Sequence, residues 1–325
     1  MTPVLQEVDA LNLQLVNLIQ VAVVVALSPL MVGILKKIEA MVESRKGISV
    51  FQPYYDLAKY MRKEVVAPTG SLIFHLAPVV AFSCYLILPM VLPIVAGYPL
   101  PFAPMVDFLG GAFLFTLAAI ISVVAATRTG SFYTAIGASR SISFAALAEP
   151  TLIMVFFGVA LITKTNNPFI TNKVLSTQLP WIVSPTHALL IVAFFMLLLF
   201  ETGKLPIESE GLSEFGMLDE GKLMEYSGIE YALLKWGSYM KSFILMSVFL
   251  NVFAVPWGVA RSCTAISVAT GIATLFIKMI ALILVFVVIE EVFAKMRLFK
   301  IIDYLTVSFM LALLSVASYF LFGGV

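Results

Sequence analysis

Apolar residues follow one another in long runs along most of this chain, and most of the charge falls in the gaps between them. The runs cover about Leu13–Leu35, Leu72–Ala96, Met105–Ala126, Ser143–Ile162, His187–Phe200, Ser238–Val259, Ala265–Ile289 and Tyr304–Phe322. A helix needs ~20 apolar residues to cross a ~30 Å hydrocarbon core, so the pattern predicts eight membrane helices. The fifth is short when counted from His187 and gains length if it starts near Pro185. Pro29 is expected to bend the first helix near its inner end, because proline removes one backbone hydrogen bond. The stretch before that helix, Met1 to Asn12, has no lysine or arginine, and the apolar run outlasts a signal-peptide core, so it reads as a retained span. A membrane β-barrel would instead show ~10-residue alternating segments.

The connections have patterns of their own. Between helices one and two, Val50 to Val66 carries Phe51, Tyr54, Leu57, Ala58 and Met61 at helical spacing, with Asp56, Lys59, Arg62 and Lys63 elsewhere on the turn. That periodicity predicts an amphipathic helix at the membrane interface, serving either as an anchor or as a docking platform. From Thr127 to Arg140, Gly130 and Gly137 among small polar residues predict a tight, non-helical connection. Thr163–Pro185 reads as a polar, proline-bearing loop on the opposite side.

Composition narrows the class. The chain has 325 residues, is 61% hydrophobic and only 12% charged, where a soluble domain carries ~25% charged residues. It is therefore expected to be an all-α polytopic membrane protein, a single domain over 1–325. Its cytoplasmic loops fall at about 38–71, 127–142, 201–237 and 290–303. Sixteen of the 20 lysines and arginines lie in these loops or, as Lys36, Lys37 and Lys241 do, within a few residues of them, against Lys164, Lys173 and Arg261 in the opposite ones and Lys278 inside a span. This asymmetry predicts a multi-pass protein of the cell membrane with both termini outside. The two cysteines and two histidines offer neither metal-ligand spacing nor a disulfide framework. No Gly-rich phosphate loop is present, and the basic residues lie flush with the bilayer, which argues against nucleic acid.

The chemistry is concentrated in Phe200–Gly228 and just beyond. Glu208, Glu210, Glu214, Asp219, Glu220, Glu225 and Glu230 follow Glu201, with only Lys204 and Lys222 interspersed before Gly228. This segment reads either as a solvated loop or as proton-exchanging carboxylates between a soluble partner and the membrane. Inside the apolar runs stand Glu149 beside Pro150, about two turns into its span, and Lys278; Glu290 and Glu291 close the seventh run. Ionisable groups at such depth normally face a wet interior and have a role. For Glu290 and Glu291 interfacial snorkelling is the expectation, and Lys278 reads either as a buried proton-exchanging group or as the partner of a buried acid that holds helices together.

These residues resemble a known family. Arg45-Lys46-Gly47 followed by Gln52-Pro53, Asp56 and Lys59 is similar to a loop of the complex I membrane subunit that abuts the quinone-reducing module. Thr129-Gly130-Ser131 and Gly137-Ala138-Ser139-Arg140 resemble the corresponding loop of its hydrogenase branch. Ala148-Glu149-Pro150 resembles the glutamate-proline of helix four. Glu201, Gly203, Lys204 and Pro206 at one end, with Glu225-Tyr226-Ser227-Gly228 at the other, bracket the acidic loop as in that family. Glu208 stands where complex I subunits usually have aspartate, and the segment up to Glu225 reads more like membrane-bound nickel–iron hydrogenase relatives, which favours an electron acceptor in a soluble partner.

The resemblance covers essentially the whole chain. It implies a non-catalytic subunit of a respiratory complex that docks a hydrogenase-type module and links its electron transfer to proton or sodium translocation. Helices two to six would resemble half of an antiporter repeat. The implied relay is Glu149, Glu201, Lys204, Glu208, Glu210, Glu214, Glu220 and Glu225. Arg45, Gln52, Asp56, Lys59, Lys63 and Arg140 would dock the partner. No cofactor is expected on this chain, with iron–sulfur clusters and a nickel–iron centre in large and small soluble subunits, and antiporter-like subunits alongside in the membrane. The alternatives are a quinone-site subunit and a stand-alone secondary ion transporter.

Overall fold

A computed structural model of the chain describes residues 3–68, 70–99, 101, 107–177, 184–204, 220–294, 296 and 298–321. Ten α-helices lie in these residues: α1 Pro3–Val42, α2 Gln52–Met61, α3 Leu72–Val91, α4 Phe108–Thr127, α5 Phe132–Thr163, α6 Pro168–Thr177, α7 Pro185–Glu201, α8 Gly228–Val248, α9 Ala265–Val292 and α10 Leu298–Leu321. Seven of them are long and apolar enough to cross a membrane, and α7, at 17 residues, is shorter. The chain is thus a multi-pass membrane protein.

Several boundaries differ from the sequence expectation, each for a local reason. The connection after α4 is helical from Phe132 onward. Only Gly130 makes the turn, at φ +72°. Gly137 lies inside α5, where a Cβ would meet the Gly221 carbonyl carbon at 2.9 Å; it is small for close approach, not for turning. Glu149 therefore sits near the middle of a 32-residue helix rather than two turns from its start. Likewise α8 begins at Gly228, ten residues before Ser238, and the loop expected to run to 237 ends earlier. The amphipathic helix is confined to Gln52–Met61, with Pro53 and Leu57 buried. The loop after α5 contains α6. The fifth apolar run does form a helix from Pro185, where the Ser184 hydroxyl accepts from the His187 amide.

Pro29 does not end α1. It frees the carbonyl four residues back, and the Trp236 indole of α8 donates to that Val25 oxygen at 3.1 Å. The Tyr54 hydroxyl of α2 donates to the next carbonyl, Ala26. One proline thus ties three helices together.

At the opposite end, two helices stop inside the bundle. α3 ends at Val91 instead of Ala96, and α8 passes into a π-turn, Phe249–Ala254. Buried amides take up the released backbone groups, as irregular backbone at membrane depth requires. The Gln20 side chain donates to Leu92 O at 2.9 Å and accepts from the Val95 and Ala96 amides at 2.9 and 3.0 Å. Asn251 donates to Ile94 O at 2.7 Å, and Asn172 donates to Asn251 O at 2.6 Å. Lys278 donates to Asn251 Oδ1 at 2.9 Å, Val255 O at 2.8 Å and Trp257 O. It completes the end of the π-turn, and no buried acid is among these contacts. On the far flank, Ser308, Ser315 and Tyr304 of α10 donate to carbonyls of α7, the small-residue stitching common between membrane helices.

Candidate functional site

The ionisable side chains gather at one end of the bundle, where α7 stops and α8 begins. Glu149, from mid-α5, faces the same cavity as Thr116 of α4. It shares a cavity of about 70 Å³ with Glu201, Lys241, Lys222 and Ser141. Glu201, the last residue of α7, is ion-paired with Lys241 of α8. A second cavity of about 60 Å³, between α3, α4 and α8, is also lined by Glu201, Lys222 and Lys241.

Glu201 opens onto a third cavity as well. This one, about 70 Å³, is lined by Lys204, Glu220, Lys235, Ser238 and Tyr239 among polar groups, and by Met31, Leu35, Ile283 and Phe286 among apolar ones. Lys204 donates to Glu39 of α1 at 2.7 Å and lies 3.4 Å from Glu290 of α9. Lys235 pairs with Glu220 at 3.0 Å. Three carboxylates (Glu149, Glu201, Glu220) and four lysines (204, 222, 235, 241) thus line three cavities that have Glu201 in common, and Glu39 and Glu290 join them through Lys204. A water needs roughly 10–15 Å³ of such space, so each cavity has room for several.

Local folding explains the placement. α7 ends in a turn in which Gly203 has φ +66° and the Lys204 amide donates to Leu199 O at 3.0 Å. This is the common left-handed helix stop, and it points the chain back so that Lys204 meets α1 and α9. On α8, Lys235, Ser238, Lys241 and Ser242 recur at the three-to-four spacing of one helix face. The short turn Gly221–Leu223 is pressed on α5 through the Gly137–Gly221 approach, and carries Glu220 and Lys222 to the cavities.

Glu225-Tyr226-Ser227-Gly228 forms a clasp. The Ser227 hydroxyl accepts from the Val66 amide at 2.6 Å and donates to its carbonyl at 3.0 Å. Tyr226 stacks on Phe74 at 4.1 Å and donates to its carbonyl; burial, then the charge of Glu230, hold its phenol above the usual range. Gly228 has φ +57°, and a Cβ there would meet Lys63 O at 2.7 Å. Beside the clasp, His75 Nδ1 lies 2.5 Å from Glu230.

Of the residues singled out from the sequence, Glu149, Glu201, Lys204 and Glu220 come together here, and Glu225 lies half-buried in the clasp. Glu208, Glu210, Glu214 and Asp219 lie outside the described residues. Gln52 donates to Asp56 at 2.9 Å, one turn along α2. Arg45 pairs with Glu43 at 3.3 Å, Lys63 lies over the Tyr60 ring, Lys59 is exposed and Arg140 half-buried. Lys278 belongs to the opposite end. Glu290 is not a snorkelling residue: its side chain is 15% exposed and paired with Lys204. Glu291 is exposed, as snorkelling requires. Sequence reasoning misses Glu39, Lys235 and Lys241. The spacing along α8 was the signal available for the two lysines. Among the described residues no group of three or more His, Cys, Asp or Glu is arranged to hold a metal ion.

Fold and site define a polytopic helical membrane protein with a chain of ionisable groups buried at one end. The chain belongs to the NADH dehydrogenase family, which it matches over residues 14–321. It is 33% identical over 285 residues to formate hydrogenlyase subunit 4 of Escherichia coli K12, covering 86% of this chain and 90% of that one. Hydrogenase-4 component C of the same organism is 32% identical over 292 residues, covering 89% and 90%. The H subunit of the NADH-quinone oxidoreductase of Granulibacter bethesdensis is 26% identical over 263 residues, covering 77% and 74%. In fold the chain is similar to one from the membrane-bound sulfane sulfur reductase, an archaeal respiratory membrane complex, with TM-score 0.76 over 94% of this chain and 99% of that one at 19% identity.

Proposed function

We propose that this chain is the energy-coupling membrane subunit of a hydrogenase-type respiratory complex. It makes no bonds itself. Electron transfer in a docked soluble module changes the charge near Glu208, Glu210, Glu214, Glu220 and Glu225, and the change travels through Lys204 and Glu201 to Glu149 as a shift in proton occupancy. At ~4 Å and an effective dielectric of ~20, one unit charge alters a neighbour by ~4 kcal/mol, about three pKa units. That suffices to move protons.

The observation that carries the reading is Glu201, which is common to three cavities and lies between the membrane-embedded Glu149 and the Lys204 junction. A purely structural ion pair has no need of adjoining space on every side. In this reading all eight apolar helices cross, α7 within a locally short span, α2 lies in the interface, both termini are outside and the charged end is cytoplasmic. Arg45, Gln52, Asp56, Lys59, Lys63 and Arg140 orient hydrogenase-like large and small subunits, which carry iron–sulfur and nickel–iron centres. Antiporter-like subunits receive the ion on the membrane side. The greater identity to the hydrogenase relatives than to the quinone oxidoreductase relative supports a hydrogenase-type partner over a quinone-reducing one.

The test is translocation in sealed vesicles. Glu149→Gln and Glu201→Gln are each expected to abolish ion movement while the complex still assembles and turns over electrons. Normal translocation in both variants contradicts the relay.

A further inference from the structure

Membrane proteins keep lysine and arginine off the loops opposite their basic face, and here only Lys164, Lys173 and Arg261 occupy them. Two of these three converge on one cavity. It holds about 440 Å³ and lies at the end of the bundle away from the ionisable chain. Its walls come from three separate segments: α6 with Phe169, Ile170 and Lys173, the stretch after α3 with Tyr98 and Pro99, and the stretch after the π-turn with Val259 and Arg261.

The chemistry of the lining is one-sided. Among its described residues there are two cations and no carboxylate. Asp107, at the same end, is committed as the cap of α4 and accepts from the Gly110 amide at 2.7 Å. The frame is fixed: the Gly97 amide donates to Ala260 O at 2.8 Å, and Asn172 bonds Asn251 O and Pro256 O behind the cavity. Trp257 donates to Ser176 O at 3.0 Å and is 38% exposed, the amphipathic placement tryptophan takes at a membrane–water boundary. The volume lies within the ~300–1,000 Å³ of small-ligand sites and exceeds what a bare phosphate fills, while Pro99, Phe169 and Val259 give it an apolar flank.

We propose that this cavity binds a phosphate anion at the membrane surface, its charge met by Lys173 and Arg261, with the phosphate carried on an acidic lipid headgroup or free in solution. The site is separate from the ion path and does not depend on the coupling reading.

The experiment uses the intact assembly that co-purifies with the chain, stripped of lipid in mild detergent and titrated by native mass spectrometry. The probes are short-chain phosphatidylglycerol, short-chain phosphatidylcholine and inorganic phosphate. Phosphatidylglycerol is expected to bind, and Lys173→Gln and Arg261→Gln each to weaken it by roughly tenfold or more, while Lys173→Arg retains binding. Competition by inorganic phosphate at comparable concentration assigns a free anion; failure to compete assigns the lipid headgroup. Equal binding by wild type and the double glutamine variant, equal binding of phosphatidylcholine, or no binding of phosphatidylglycerol or phosphate to the wild type overturns the proposal.

Discussion

Two polar clusters are buried in the same apolar bundle, and they are built from different chemistry. The knot around the π-turn uses amides: Gln20, Asn172 and Asn251, with Lys278, each donating to backbone oxygens released where helices stop. The chain of groups at the opposite end uses carboxylates and ammonium groups: Glu149, Glu201, Glu39 and Glu290 with Lys204 and Lys241. Amide donors have no proton to give up near neutral pH, and their partners are fixed carbonyls. Carboxylates can exchange protons, and Glu149 and Glu201 line cavities with room for water. Depth in the membrane therefore does not identify a functional group. Under the proposed function, titratable partners and adjoining space do, and that reading gives Lys278 a structural role and Glu149 a place in the relay.

The comparison can be broken by substitution. The largest effects belong to Glu149→Gln and Glu201→Gln, which should remove ion movement while leaving electron turnover. Next come Gln20→Leu and Asn251→Leu. Each strips a buried group of several hydrogen bonds, so a loss of about 3 kcal/mol or more is expected, read as poor yield and early thermal unfolding. The fraction that assembles should keep its ions-per-electron ratio. Lys222→Met should lower that ratio partially, because Lys222 lines two cavities with Glu201 and Lys241, and Lys222→Arg should restore it. The smallest effect is Trp236→Phe, which loses the indole bond to Val25 O and should cost about 1–2 kcal/mol in a thermal-unfolding assay, with coupling unchanged.

Much of this was readable in advance, and the failures share a cause. The apolar runs, the start at Pro185 and the inward position of Glu149 and Glu201 follow from local composition, because a lipid-facing helix must be apolar whatever it packs against. Ion pairing is a tertiary property. Lys235 and Lys241 read as ordinary positive-inside charges, and Glu290 as a helix-end residue, since nothing in the linear chain states that α1, α7 and α9 meet. Gly137 misled for a related reason: turns and close helix approaches both select glycine, and only the neighbour, Gly221, tells them apart. Gln20 and Asn251 carried an unused signal, an amide within an apolar run.

The most direct test measures ions moved per electron pair in sealed vesicles for Glu149→Gln and Lys278→Gln side by side. The account predicts a ratio near zero for the first and an unchanged ratio for the second in the assembled fraction. An unchanged ratio for Glu149→Gln, or a ratio near zero for Lys278→Gln with the complex intact, contradicts it.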